Sequence, residues 1–446
     1  MKKSEFTWKV LFCSLLFSPC SQAQENRWIE FFTHSLEGKE VVIPSAETLK
    51  PAEVEKTRSA MWEAWKEANR LYDEEKLIAL DNLGETSRSA WHLPENLEPH
   101  ATMNYYYGYK GEKPAEGYPL FLYLHGSGPK AQEWITGLKL AQVFADSPSV
   151  YFIPQIPNER NYYRWYLRSK QYAWEKLFRQ AMLNPDIDPY KLYIFGISEG
   201  GYGSQRLASF YADYLAAAGP MAGGEPLKNA PVENCRHMAF SLRTGAQDHG
   251  FYRSILTNYT LHAFDSLQTV YPGNYRYKVE LIPGYAHSID YRPTTPWMRQ
   301  FVRNPWPKEV TWEDYEMDGA HRRGFYNLVV EERPDSVLRT RYDLDIKGNH
   351  IDLQVHNVHY KTTQIDPKFG IEMKFEKTYS PAEKGKVIIY LNEHLVDLKK
   401  KVTVTVNGRE VFSGKVVCSE AHMANSLATF YDPLRIYPAA IEVEIQ

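Results

Sequence analysis

The middle of the chain, from about residue 100 to residue 300, alternates strand-like runs with amphipathic helical runs. Continuous apolar runs such as 119–124 are typical of strands that are covered on both faces of a sheet. The predicted strands are 103–109, 119–124, 149–155, 192–197, 214–219, 237–244 and 276–282, and the predicted helices include 172–183 and 202–211. This alternation predicts an α/β domain over residues 100–305, with a mostly parallel sheet flanked by helices.

The stretch from Pro51 to about Leu80 has a helical pattern. Met61, Trp65, Ala68 and Tyr72 recur at helical spacing among Glu and Lys residues. We therefore expect residues 24–99 to form an N-terminal helical segment that packs on the α/β domain.

The chain after residue 305 changes to a β-rich pattern. Two alternating runs surround Asn407-Gly408, which is a strong signal for a β-hairpin. Further strand-like runs cover 325–330, 339–346, 349–355 and 386–391. Residues 306–446 are predicted to form an antiparallel, sandwich-like domain. Its role is either to pack on the α/β domain and frame its cleft, which the pattern favours, or to bind a glycan.

The first residues have the pattern of an export signal. Lys2 and Lys3 precede a mostly apolar run at 10–17, and small residues follow before Gln24. We expect residues 1–23 to be a signal peptide cleaved near Ala23, which gives a periplasmic or extracellular protein. The apolar run is too short to span a bilayer.

A lipid anchor on Cys20 is the alternative to simple cleavage. Pro19 stands where a small residue is expected before a lipidated cysteine, and this disfavours the anchor. Removal of the signal leaves Cys235 and Cys418, which are neither a disulfide framework nor a metal-type cysteine spacing. We expect no cofactor and no metal.

The composition narrows the class of partner. The 446 residues carry a formal net charge of −3, which does not favour nucleic acid or an anionic membrane surface as a partner. The 32 tyrosines and 11 tryptophans suit contacts with sugars or aromatic acyl groups, although a large α/β core explains them equally well. The sequence leaves the oligomeric state open.

The motif Gly196-x-Ser198-x-Gly200 stands between a strand-like run and a helix-like run. A sharp turn there exposes the serine hydroxyl, and the crowded backbone needs flanking residues without a Cβ atom. We therefore predict Ser198 as a catalytic nucleophile.

Ser127, Asp248 and His287 also follow predicted strands, so they are expected to lie with Ser198 at one edge of the sheet. Asp248 and His287 follow Ser198 in the order Ser, Asp, His. His287 is expected to be the general base, and Asp248 is expected to orient its imidazole ring. Backbone amides of Ser127 and Glu199 are expected to form the oxyanion hole. Asp290 is a rival to Asp248 as the acid. His125 is expected to brace its turn by hydrogen bonds. His249 could be mistaken for the general base.

The segment 160–168 follows a strand and should lie near the crevice. It is expected to contribute Arg164 and Trp165 to a wall for an acidic or aromatic substrate, with Tyr285 as a further contact. The alternative, which is slightly favoured, is a solvated basic helix face on which Arg160, Arg164 and Arg168 align.

Residues from about 100 to 305 resemble exported α/β hydrolases. They are most similar to the branch that holds feruloyl esterases, polyhydroxybutyrate-depolymerase-like esterases and dienelactone-hydrolase-like proteins. The matching residues are His125-Gly126-Ser127-Gly128, Asp188-Pro189, Gly196-Ile197-Ser198-Glu199-Gly200-Gly201, Gly245 with Asp248, and Gly284 with His287. The serine departs from dienelactone hydrolases proper, whose nucleophile is cysteine.

The resemblance implies an α/β-hydrolase sheet and an exported serine carboxylesterase, with a β-rich C-terminal extension. The expected reaction removes an acetyl, feruloyl or uronate methyl ester from a complex polysaccharide, so the partner is an ester-decorated glycan or a small ester. We expect no stable membrane insertion. The alternatives are a serine peptidase and a non-catalytic glycan-binding protein.

Overall fold

The computed structural model describes residues 19–39, 43 and 46–446. The predicted export signal lies mostly in residues 1–18, outside the described residues. The N-terminal part contains α1 (Pro19–Leu36), β1 (Thr48–Leu49), α2 (Val54–Leu71) and β2 (Arg88–His92). The expected cleavage near Ala23 thus falls within α1.

Helix α2 forms because one face is apolar along its length, with Met61, Trp65 and Ala68 buried. It ends well before residue 80, where the helical pattern was expected to end. Tyr72 leaves the helical conformation, with φ −61° and ψ 127°, and the Lys76 ammonium group donates to the carbonyl oxygens of Asn69 and Tyr72, both at 2.8 Å, which satisfies acceptors at the helix end.

The central part of the chain contains most of a sheet and its flanking helices. In chain order these elements are β3 (Thr102–Lys110), β4 (Tyr118–Leu124), α3 (Lys130–Val143), β5 (Ser149–Pro154), α4 (Arg168–Leu183), β6 (Ile187–Ile197), α5 (Glu199–Phe210), β7 (Ala217–Met221), β8 (Ala239–Gly245), α6 (Arg253–Val270), β9 (Tyr277–Ile282) and α7 (Thr294–Met298).

The eight strands of this sheet have the order β2-β3-β5-β4-β6-β7-β8-β9. The pairs from β5 to β9 are parallel, whereas β3 is antiparallel to both of its neighbours. Strand β4 is buried along its whole length, as its apolar run predicts. This topology is the α/β-hydrolase fold, and the predicted fold class is confirmed.

The first edge strand of the sheet comes from an unexpected place. Residues 88–92 form β2 and pair with β3, with Trp91 opposite Met103. The sheet therefore begins inside the segment 24–99, which was expected to be helical. Only Trp91 of this strand is buried, so its sequence lacks a run of apolar residues.

The C-terminal part forms two further sheets and one helix. In chain order these elements are β10 (Glu309–Asp314), β11 (Gly324–Phe325), β12 (Leu328–Glu332), β13 (Arg339–Lys347), β14 (His350–Ile365), β15 (Glu372–Pro381), β16 (Lys386–Leu391), β17 (Lys401–Val406), β18 (Arg409–Lys415), β19 (Cys418–Ser419), α8 (Glu420–Phe430) and β20 (Ala439–Glu444).

One of these sheets has six strands and the other has four, in the order β11-β12-β16-β20. All their pairs are antiparallel except β14 with β17. Aromatic rings join the two sheets, because Trp312 on β10 stacks on Phe325 of β11 at 5.4 Å between ring centroids. The predicted β-rich C-terminal region is present, and it includes the unpredicted helix α8.

A buried ionic network joins the α/β domain to the C-terminal domain. Asp213 of the α/β domain pairs with Arg322 at 3.1 Å and with Arg435 at 2.6 Å. Asp432 accepts from Arg435 and from Arg303, which belongs to the α/β domain. These residues are almost fully buried, so removal of any one partner leaves an uncompensated charge in the interface.

The N-terminal helices contact both domains. Glu74, just after α2, forms a bidentate pair with Arg179 of α4. Trp65 stacks on Tyr431, which follows α8, with 5.9 Å between ring centroids. Strand β1 pairs with β19, so the first and last parts of the described chain share a small sheet.

Candidate active site

Ser198 occupies a strained turn between β6 and α5, with φ 57° and ψ −112°. A Cβ atom on Gly200 would lie 1.9 Å from the carbonyl oxygen of Leu124, and one on Gly196 would lie 2.4 Å from the carbonyl oxygen of Gly200. The glycines of the motif are therefore needed for the turn to close. The turn holds the Ser198 hydroxyl at the carboxyl edge of the sheet.

Two side chains far away in sequence meet Ser198 at this edge. His287 Nε2 lies 3.0 Å from Ser198 Oγ, and His287 Nδ1 lies 2.7 Å from Asp248 Oδ2. Because an ionised carboxylate only accepts, Nδ1 carries the proton and Nε2 is left free to accept from the hydroxyl. The arrangement can relay a proton from Ser198 to the imidazole.

Arg253 holds the Asp248 carboxylate from the other side. Its Nε donates to Oδ2 at 2.8 Å and its Nη2 donates to Oδ1 at 2.7 Å. Burial alone raises the pKa of Asp248, but hydrogen bonds from Arg253 and His287 outweigh this effect and hold the pKa below its ordinary value. Asp248 is therefore ionised and fixed in orientation.

Asp290, the rival acid, is directed elsewhere. Its carboxylate accepts from Arg292 Nε at 2.8 Å and Nη2 at 3.1 Å. The structure brings Asp248, and not Asp290, to the His287 ring.

The turn after β4 runs close to Ser198, because a Cβ atom on Gly126 would lie 3.5 Å from Ser198 Cβ. The Ser127 amide follows in this turn. Glu199 is the first residue of α5, where a backbone amide has no acceptor within the helix. Both residues thus lie next to the Ser198 turn, and the role of their amides as an oxyanion hole stays a prediction.

His125 supports this turn from inside the protein. Its Nε2 accepts from the Ile156 amide at 3.1 Å, its Nδ1 donates to the Gly126 carbonyl oxygen at 2.7 Å, and it is fully buried. Burial lowers its pKa to about 4, although the bond to Gly126 opposes the shift. His125 is thus a neutral brace for the turn.

Of the three expected substrate contacts, Arg164 and Tyr285 are exposed, whereas Trp165 is buried. Arg164 is half exposed, and its Nη1 lies 3.3 Å from Oε2 of Glu199, the residue after Ser198. Tyr285 is exposed on the loop that carries His287. Trp165 does not fit the expected role: it is fully buried, and its Nε1 donates to the His125 carbonyl oxygen at 3.0 Å. No face of Trp165 is open to a substrate.

The segment around Trp165 is also not one helix. A short turn covers Arg160–Tyr162 and α4 starts only at Arg168, so the expected alignment of Arg160, Arg164 and Arg168 on one helical face does not occur.

Arg253 and the β14–β15 hairpin contribute to the site, although neither was predicted from the sequence. Arg253 follows Asp248 by a few residues, but its spacing gives no sign that it turns back to the carboxylate. The hairpin tip reaches the same loop, where the Phe369 and Phe251 ring centroids are 4.6 Å apart. That contact spans too much sequence for a local pattern to indicate it.

Within residues 19–39, 43 and 46–446, no group of three or more His, Cys, Asp or Glu side chains is arranged to hold a metal ion. In the same part of the chain, no helix is both long and apolar enough to cross a membrane. Cys235 and Cys418 are both buried free thiols.

A cleft of about 760 Å³ lies between α2 and the loop after β16. It shares no residue with the site around Ser198.

No family model and no curated protein matches the chain. Solved structures that are similar over about half of it include a thermostable esterase, at 20% identity with a TM-score of 0.37, covering 49% of this chain and 64% of that one. An S-formylglutathione hydrolase from Agrobacterium tumefaciens is 15% identical, with a TM-score of 0.36 and coverage of 51% and 96%. A ferulic acid esterase from Anaeromyces mucronatus is 11% identical, with a TM-score of 0.33 and coverage of 48% and 88%. What the site can do follows from its own geometry.

Proposed function

We propose that this protein is an exported serine carboxylesterase that removes an ester decoration from a complex polysaccharide. The observation that carries the proposal is the hydrogen-bonded chain from Ser198 through His287 to Asp248, on a strained turn at the edge of the sheet. Such a chain activates a hydroxyl group for acyl transfer.

In the first half of the reaction, Ser198 Oγ attacks the ester carbonyl carbon while His287 Nε2 takes its proton. The carbonyl oxygen becomes an oxyanion that accepts from the amides of Ser127 and Glu199. Each such donor typically contributes about 3 kcal/mol to lowering the barrier. The tetrahedral intermediate collapses, the bond to the alcohol oxygen breaks, and His287 returns the proton to that oxygen.

The second half repeats the sequence with water. His287 accepts a proton from water as the water oxygen attacks the acyl-Ser198 carbonyl carbon. The free acid leaves and Ser198 recovers its proton. Throughout, the Asp248 carboxylate stabilises the imidazolium form of His287, and Arg253 keeps this carboxylate in place.

The substrate class rests on the chemistry around the site. The half-exposed Arg164 guanidinium and the partly buried Tyr166 and Tyr202 rings line a polar pocket beside Glu199. Polar groups interleaved with aromatic rings suit the decorated sugars of a glycan. The export signal expected in residues 1–23 agrees with a polymeric substrate outside the cytoplasm.

An assay panel tests the proposal. Wild type and Ser198→Ala are compared on p-nitrophenyl acetate, methyl ferulate, methyl-esterified pectin and a dipeptidyl amide. We expect ester hydrolysis by wild type and its loss in Ser198→Ala. Cleavage of the amide alone would instead identify a peptidase, and no turnover by wild type on any substrate would identify a binding protein.

A further inference from the structure

The long hairpin of β14 and β15 brings the C-terminal domain to the candidate active site. Its tip, residues 366–371, lies against the loop after β8. The Phe369 ring packs on the Phe251 ring at 4.6 Å between centroids, and the Tyr252 hydroxyl donates to the Asp366 carboxylate. The hairpin tip is therefore held against the loop that also carries the acid of the triad.

The base of the tip is held on the opposite side. Glu372 pairs with Lys228, on the loop after β7, at 2.9 Å. Between these two attachments the hairpin forms one side of a partly open pocket of about 360 Å³, which is large enough for a small ligand. We call it the hairpin pocket, and the lining residues that matter here are Arg164, Tyr166, Glu199, Arg206, Glu225 and Ile371.

The Glu199 side chain is an unsatisfied polar group in this pocket. It is 9% exposed, and its Oε1 has no hydrogen-bond partner in the described part of the chain. Its Oε2 is 3.3 Å from Arg164 Nη1. Burial raises the pKa of Glu199 to about 7, although Arg164 opposes the shift, so near neutral pH a large fraction is in the protonated form, which both donates and accepts. A buried polar group of this kind needs a partner, and a ligand hydroxyl supplies one.

The opposite wall is polar but already organised. Arg206 donates to Glu225 through Nε at 2.8 Å and Nη2 at 3.0 Å, and its guanidinium lies 3.9 Å from the Tyr166 ring centroid. Asn229 Nδ2 donates to Glu225 at 3.1 Å. These bonds fix the groups before any ligand arrives, which lowers the entropy cost of binding.

Three cations and three carboxyl groups face one another in and beside the pocket, with Lys228 counted as the partner of Glu372. The cations are Arg164, Arg206 and Lys228, and the carboxyl groups belong to Glu199, Glu225 and Glu372. Each cation already faces a carboxyl group, so a ligand carboxylate would have to compete with that group for it. An apolar aromatic ring would have to desolvate several ionisable groups. Neutral hydroxyl groups suit this lining.

We propose that the hairpin pocket binds a neutral sugar residue next to the reacting ester, with Glu199 as a hydroxyl-binding group and the C-terminal hairpin as one wall. The inference rests on the proposed esterase function for its place in the reaction, because Glu199 directly follows Ser198. It also assigns a role to the C-terminal domain, since the pocket is incomplete without the tip of β14 and β15.

Direct binding tests this independently of turnover. Isothermal titration calorimetry or saturation-transfer NMR measures xylobiose, glucose, glucuronic acid and ferulic acid on wild type and on Ile371→Trp, which fills the pocket from the hairpin side. We expect both neutral sugars to bind wild type, glucuronic acid to bind more weakly than glucose, and Ile371→Trp to weaken the sugars at least about tenfold. Lys361→Gln is the matched control, because Lys361 is exposed on β14 outside the pocket, and it should bind as wild type does.

A second variant guards against a misfolded hairpin tip. Glu199→Leu removes the carboxyl group and leaves the hairpin sequence unchanged, and it should weaken both neutral sugars about tenfold. The inference is overturned if neutral sugars do not bind wild type, if glucuronic acid binds more tightly than glucose, or if ferulic acid is the ligand that Ile371→Trp displaces. An esterase without sugar binding refutes only this inference. Sugar binding without ester turnover refutes the proposed function, and with it the place of the sugar beside a reacting ester, but leaves the hairpin pocket as a sugar site.

Discussion

The substitution Asp248→Asn tests whether the side chains of Ser198, His287 and Asp248 act as a catalytic triad. In the wild-type protein, Asp248 Oδ2 accepts from His287 Nδ1 at 2.7 Å and from Arg253 Nε at 2.8 Å, while Oδ1 accepts from Arg253 Nη2 at 2.7 Å. An asparagine has one acceptor oxygen for these donors. Either orientation of the amide therefore sets an N–H group against a donor of Arg253 or against the His287 ring.

Both orientations weaken catalysis. If the amide nitrogen faces His287, the ring is driven to the tautomer that cannot accept from Ser198; if the oxygen faces it, the charge that stabilises the imidazolium is still lost. Such a change typically costs about 10³- to 10⁴-fold in kcat. This loss corresponds to about 4–5.5 kcal/mol of barrier.

The assay is kcat and KM on p-nitrophenyl acetate, with thermal unfolding to verify that the variant folds. Asp290→Asn is the matched control, because its carboxylate pairs with Arg292 and not with His287. We expect the control to change kcat by less than about threefold. Loss of turnover in Asp290→Asn with normal turnover in Asp248→Asn would refute the assignment.

Further predictions concern the protein interior. Arg435→Met leaves Asp213 and Asp432 short of a buried partner, so urea denaturation should show a loss of about 3–5 kcal/mol; an unchanged midpoint would contradict the network's role. Trp165→Phe removes a buried hydrogen-bond donor, so it should lower the free energy of unfolding by about 1–3 kcal/mol and leave KM unchanged on the ester that wild type hydrolyses fastest. A rise in KM without a loss of stability would restore Trp165 as a substrate contact. Because burial lowers the pKa of His125 to about 4, its stabilising effect is complete above the unfolded-state pKa near 6.5 and is lost as pH falls toward 4, by up to about 3 kcal/mol. Urea titrations at several pH values should show a shallower loss in His125→Gln than in wild type.

The sequence was most informative where the parallel sheet imposes a position. Ser198, Asp248 and His287 each follow a strand, and the carboxyl ends of parallel strands share one edge, so their meeting could be predicted without coordinates. The buried run of β4 was equally clear, because a strand covered on both faces must be apolar throughout.

Local patterns failed where long-range packing decides the outcome. Trp165 stands among arginines, as a surface aromatic would, yet it packs under the turn of His125. Ser419 precedes helix α8 and caps it by accepting from the His422 amide, but the helix is short and follows a β-rich stretch. The hairpin tip reaches the site only through tertiary contacts.

The pairing of β1 with β19 has a consequence for biosynthesis. The aromatic face of α2 that carries Trp65 is completed by Tyr431, so the first helices stay partly uncovered until residues 418–446 have left the ribosome. Exposed apolar surface in an incomplete chain invites self-association. A nonsense change that removes only this final stretch is thus expected to yield insoluble protein, even though every residue around Ser198 is still encoded.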